Sequence, residues 1–77
     1  AEGESGTAVV RAAMPGMVVR INVAIGQTVK RGEAVLILEA MKMENEVRSP
    51  ADGTVSAIIV SERDSVEKGA QLIVIGQ

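Results

Sequence analysis

The chain contains no cysteine, histidine, phenylalanine, tyrosine or tryptophan. Each absence excludes a kind of chemistry. Without cysteine there is neither a disulfide staple nor a thiolate metal site. Without histidine or cysteine the commonest general bases, nucleophiles and transition-metal ligands are gone. Without aromatic rings nothing can stack on a nucleobase or a sugar. An excess of positive charge is also lacking: eight basic against ten acidic side chains leave a net charge of −2. A phosphate backbone would gain no attraction from that balance, so no nucleic-acid partner is expected. No apolar run approaches the ~20 residues of a membrane-spanning helix, and the start shows no basic-then-apolar leader. The expectation is a cytoplasmic protein without direct membrane contact.

What is present fits one small domain. A chain of 77 residues buries only about 60–65% of the surface its unfolded form exposes, so its stability is a narrow balance. Residues 1–7, Ala1-Glu2-Gly3-Glu4-Ser5-Gly6-Thr7, are small, polar and acidic. They read as a flexible tail or linker remnant, with the domain over residues 8–77.

A gapless internal repeat organises that domain. Val10–Glu39 superposes on Val47–Gly76 with a shift of 37 residues, and eight of thirty positions are identical. The identities include Gly16/Gly53, Val18/Val55, Val29/Val66 and Gly32/Gly69, and apolar residues match apolar ones at Val35/Leu72 through Leu38/Ile75. Two glycines and a hydrophobic ladder in register indicate two copies of one β unit. Within each copy, Met14-Pro15-Gly16 and Pro50-Ala51-Asp52-Gly53 are turn chemistry, with glycine free to take positive φ. Met17–Val23 and Thr54–Val60 are β-branched strands whose alternation slips between Val18 and Ile21 and between Val55 and Ile58, as at a bulge. Lys30-Arg31-Gly32 and Glu67-Lys68-Gly69 are turns, and Val35–Leu38 and Leu72–Ile75 are short apolar runs suited to buried strands. No window carries a helical period. The fold class is therefore all-β: a flattened barrel or sandwich of two four-stranded sheets with an internal pseudo-two-fold repeat.

The repeat leaves Ala40-Met41-Lys42-Met43-Glu44-Asn45-Glu46 unexplained. Strand Ala34–Ala40 leads into it and strand Met43–Arg48 leads out, so Met41-Lys42 is expected at a tight hairpin tip. Most lysines are merely solvated, but this one lies between two thioethers where a turn gives them little cover. Apolar groups exposed around a lone charge mark a surface that something else recognises. No arrangement of Asp52, Glu62, Asp64 and Glu67 suggests a catalytic cleft, so a free-standing enzyme is not expected.

Glu39-Ala40-Met41-Lys42-Met43-Glu44-Asn45 resembles the attachment motif of biotin carboxyl carrier domains. Met14-Pro15-Gly16 and Ser49-Pro50-Ala51-Asp52-Gly53 resemble the openings of that family's two repeats. Some acetyl-CoA carboxylase carriers have a "thumb" inserted in the first repeat; the gapless alignment leaves no room for one. The resemblance implies a non-catalytic carrier with biotin joined covalently to Lys42. Met41 and Met43 would shape the tip for a biotin protein ligase, Ala40 would keep its approach uncluttered, and Glu39 would orient the hairpin or touch the ligase. Glu44 and Glu46 read as surface charges that discourage edge pairing. Because only a deprotonated amine attacks an activated acyl group, activation of Lys42 is assigned to the ligase. The implied partners are that ligase and the biotin carboxylase and carboxyltransferase domains or subunits of a carboxylase, decarboxylase or transcarboxylase. Two alternatives stand beside this reading: a lipoyl-bearing carrier of similar fold, whose usual flank is Asp-Lys-Ala, and an unmodified structural adaptor.

If the repeat reports the core, Val18→Asp and Val55→Asp each bury an unpaired charge. Each is expected to cost more than about 4 kcal/mol, enough to unfold so small a domain. A thermal melt unchanged from the parent in either variant would show that the alignment does not locate the core.

Overall fold

The computed structural model describes residues 6–77; the part of the expected tail in residues 1–5 lies outside them. The described residues form eight strands and no helix: β1 (Thr7–Arg11), β2 (Gly16–Ile21), β3 (Thr28–Val29), β4 (Ala34–Ala40), β5 (Met43–Arg48), β6 (Gly53–Ile58), β7 (Ser65–Val66) and β8 (Gln71–Gly76). Thr7, placed in the tail by composition, opens β1 opposite Gly76, and the Gly6 carbonyl accepts the Gln77 N–H at 3.1 Å.

The strands form two antiparallel sheets ordered β1-β8-β6-β3 and β5-β4-β2-β7. Adding four to each strand number, and wrapping round, turns the first order into the second. The shift of 37 residues thus carries one sheet onto the other. Neither copy of the repeat makes a sheet by itself, because each sheet takes two strands from each copy. The irregular hydrogen bonds repeat as well. The Asn22 N–H donates to the Val35 carbonyl at 2.9 Å, as Ile59 does to Leu72 at 2.9 Å. The Gly32 N–H donates to Ser49 at 2.8 Å, as Gly69 does to Ala12 at 2.8 Å.

Alternation turns Val18, Leu36, Leu38, Val55, Ile73 and Ile75 inward, and at Val35–Leu36 and Leu72–Ile73 two consecutive residues are buried. Val18, Val35, Leu36 and Leu38 from the first copy meet Val55, Leu72, Ile73 and Ile75 from the second, and all eight are fully buried. With no aromatic ring in the sequence, valine, leucine, isoleucine and Ala12 fill this core. The expected slips are bulges: the β2–β4 register shifts between Val18 and Arg20, and the β6–β8 register between Val55 and Ala57. Each bulge bends its strand so that Ile21 and Ile58 still pack against the core. The strands end at Ile21 and Ile58, two residues earlier than their β-branched sequences suggest, although Val23 beyond β2 still turns inward.

Gly16 and Gly53 correct the sequence reading. Neither has positive φ; both begin strands, and a Cβ on either would collide with a backbone carbonyl, that of Glu39 or of Gly76. They are glycine because the backbone of the next strand passes too close for any side chain. Conformational freedom matters instead at Gly26, Gly32 and Gly69, with φ of 91°, 87° and 87°.

Gly26 and Arg63 occupy equivalent positions, and Arg63 also has positive φ, 78°. No atom crowds the Cβ position at Gly26, so only backbone strain separates the two residues there. Gly26→Ala is expected to cost about 1 kcal/mol and Arg63→Gly to gain up to about 1 kcal/mol. Urea unfolding of the two variants checks both signs.

Candidate functional site

β4 and β5 pair in unbroken register from Leu36↔Val47 to Ala40↔Met43, with a shift between Ala34 and Leu36, and only Met41 and Lys42 connect them. Both have positive φ, 54° and 66°, the backbone of a two-residue type I′ hairpin. That turn is ordinarily made by Asn-Gly or Asp-Gly, since left-handed backbone costs an ordinary L-residue about 1–2 kcal/mol. The sequence therefore places two residues with poor turn chemistry at a turn that demands it. Strain of this kind persists only where the surroundings impose it, here the six-pair β4–β5 ladder.

The turn holds its side chains out. Met41 is 91% exposed and Met43 65% exposed, with Lys42 exposed between them. Neither methionine fills the core. Ala40 behaves differently from the expectation that it keeps the approach clear: it is buried opposite Met43, closing the inner face at the end of β4. Glu39 is half-buried on the outer face, directly opposite Glu44 on β5 and Met17 on β2. Two carboxylates in one cross-strand pair repel, so the acid at Glu39 is not there for hairpin stability. Glu44 and Glu46 are exposed on β5, an edge strand of its sheet, and Glu46 is ion-paired with Arg48. That is the one ion pair among the described residues, and it leaves Lys42 out.

One residue escaped notice in the sequence. Asn45 lies opposite Leu38 on the inner side of the hairpin, and its Nδ2 donates to the Met43 carbonyl at 3.2 Å and the Leu38 carbonyl at 3.5 Å. It laces the base of the tip across both strands. A polar residue on the inward period of an edge strand was the available signal.

Three other carboxylates accept backbone N–H groups. Asp52 Oδ1 accepts the Arg31 N–H at 2.7 Å, Asp64 Oδ2 the Ser61 N–H at 2.9 Å, and Glu62 Oε2 the Ile21 N–H at 3.3 Å. No cavity opens among the described residues. What the site offers chemically is a primary amine on a protruding, fixed turn, flanked by thioethers, with any reacting pocket supplied from outside. Because the turn is strained, replacing Met41-Lys42 by Asn-Gly is expected to raise stability by about 1–2 kcal/mol, read from the urea midpoint. An unchanged or lowered midpoint would mean that the backbone is not strained there.

Comparison with known proteins gives one family. The model of the biotin-requiring enzyme family matches residues 8–75. The biotin carboxyl carrier protein of Streptococcus mutans is 48% identical over 83% of this chain and 49% of its own, so the chain spans about half that relative's length. The biotin carboxyl carrier protein of acetyl-CoA carboxylase from Solanum lycopersicum is 44% identical over 79% of this chain and 87% of its own. In the Kluyveromyces lactis urea carboxylase structure, a segment making up 7% of that chain matches 97% of this one with a TM-score of 0.87 at 31% identity. With its duplicated all-β sandwich and exposed hairpin lysine, the chain belongs to the biotin-requiring enzyme family, as a non-catalytic biotin carrier domain.

Proposed function

We propose that Lys42 is the biotin attachment residue and that the domain moves carboxyl groups between two active sites of a biotin-dependent carboxylase, decarboxylase or transcarboxylase. The observation that carries the residue assignment is the tip itself, where a turn unsuited to its own residues holds Lys42 out between two exposed methionines. The site fits the cofactor, because covalent attachment asks only for an accessible primary amine on a firm support. In the attachment step the Lys42 Nζ lone pair attacks an activated biotinyl carboxyl. A C–N bond forms, the activating group leaves, and the amine nitrogen gives up one of its two protons to become a neutral secondary amide. A biotin protein ligase supplies the activated acyl group and the base, since this domain offers no pocket beside the amine.

Met41 and Met43 present apolar, adaptable surface to the ligase, and Glu39 with Glu44 presents negative charge on the outer face below them. Acylation shifts the charge over residues 39–46, three carboxylates and one lysine, from −2 to −3. When bound, biotin supplies the ring nitrogen that accepts and releases a carboxyl group, and this chain supplies position. The partners are the ligase and the carboxylase and carboxyltransferase domains or subunits of the parent enzyme.

Intact mass after incubation with biotin, ATP and a biotin protein ligase tests the assignment. One biotinyl addition is expected, abolished in Lys42→Arg while the far-ultraviolet circular dichroism of that variant stays native. No addition to the folded parent sinks the reading. Addition of a lipoyl group by a lipoate ligase in the same assay would replace it with the lipoyl carrier.

A further inference from the structure

Two-electron oxidants attack sulfur first and then the electron-rich rings of tryptophan, tyrosine and histidine. This chain has none of those rings and no cysteine, so its four methionine thioethers, Met14, Met17, Met41 and Met43, take all of that reactivity. The fold grades them sharply. Met14 packs against the core, Met17 is 39% exposed beside Glu39, Met43 is 65% exposed and Met41 is 91% exposed. The two most accessible thioethers are the two that flank Lys42.

We propose that Met41 and Met43 form a reversible oxidation site that controls modification of Lys42, the oxidant being a peroxide. The inference rests on Lys42 being the attachment residue. In the step, a thioether sulfur lone pair attacks one peroxide oxygen, and the O–O bond breaks. The sulfur becomes a sulfoxide, and the other oxygen leaves as water or an alcohol, so sulfur loses two electrons and the peroxide gains them. The product is polar, chiral and a strong hydrogen-bond acceptor where the thioether was apolar and a weak one. Such a change beside the amine alters the surface that a ligase must desolvate. It leaves the sandwich standing, because neither Met41 nor Met43 contributes to the buried core. The position separates recognition from folding: oxidation at the tip blocks loading of a domain that stays folded. Methionine sulfoxide reductases, one for each epimer, restore the thioethers: two thiols of the reductase system supply the two electrons and become a disulfide, and the oxygen leaves as water.

The experiment treats the unmodified chain with graded hydrogen peroxide and follows three quantities. Peptide mass spectrometry gives the order of oxidation, circular dichroism gives the fold, and ligase turnover gives loading. Met41 and Met43 are expected to oxidise first, Met17 later and Met14 last. At full oxidation of the tip, ligase kcat/KM should fall by about tenfold, the effect of removing one strong contact, with the dichroism unchanged. Reductase treatment should restore it, and a Met41→Leu, Met43→Leu variant should load at a rate that peroxide does not alter. Oxidation of Met14 or Met17 ahead of the tip pair overturns the proposal. So does undiminished loading of the tip sulfoxides alongside an untreated sample that loads. If the untreated sample itself takes no biotin, the attachment reading fails and the control of loading falls with it, a result distinct from either of the others.

Discussion

Neither half of this chain can bury its own hydrophobic face. β2 and β4 need β7 and β5 from the other copy to complete their sheet, and β6 and β8 need β3 and β1. The pairs that join the copies, such as β1 with β8 and β2 with β7, link residues far apart in sequence, so the sheets form together or not at all. The core repeats that logic. Leu36 and Ile73, Leu38 and Ile75, and Val18 and Val55 are buried as equivalent partners. A domain with no aromatic side chain lacks the large contact areas that rings supply, and interleaving two small aliphatic halves into one core compensates. Everything the tip does depends on the firmness of that shared core.

The symmetry ends at the two poles, and function follows from how it ends. The pair Glu39↔Glu44 on β4 and β5 is equivalent to Gly76↔Thr7 on β8 and β1. At the first pole the ladder is closed by Met41-Lys42. At the second it is open, and the chain enters and leaves there. The two poles lie at opposite ends, because the loop beyond the far end of β2 bonds through Gly26 to Val55 near the start of β6, beside Gly76. A tether on either side of the domain therefore attaches away from the amine.

Much of this was legible in the sequence because local chemistry and global fold agree. The bounds of β4 and β5, the bulges after Val18 and Val55, the all-β class and the turn at Met41-Lys42 each follow from period, turn residues and the repeat. What escaped depends on which strand lies beside which. Gly16 and Gly53 look like turn glycines until the carbonyls of Glu39 and Gly76 are seen against them. Ala40 looks like a small residue at an exposed tip until the ladder turns it inward. Asn45 looks like another polar surface residue until its amide is found against two carbonyls of the hairpin. Each is a tertiary proximity, and composition carries no record of it.

The disagreement between rule and residue is sharpest at Met41 and Lys42, and it explains the site. A hairpin selected for stability alone would place asparagine and glycine there. Locally consistent sequence surrounds the turn on both sides, so the misfit is confined to the two residues that present the amine and its most exposed thioether. The strain is held by features at the base of the turn. Gly16 lets β2 approach the Glu39 backbone, Ala40 closes the inner face, and Asn45 ties the carbonyl of Met43 into the hairpin. Because those supports lie in the sheet and not in the turn, acylating Lys42 removes none of them. The supports that hold the tip are therefore the same whether its amine is free or acylated.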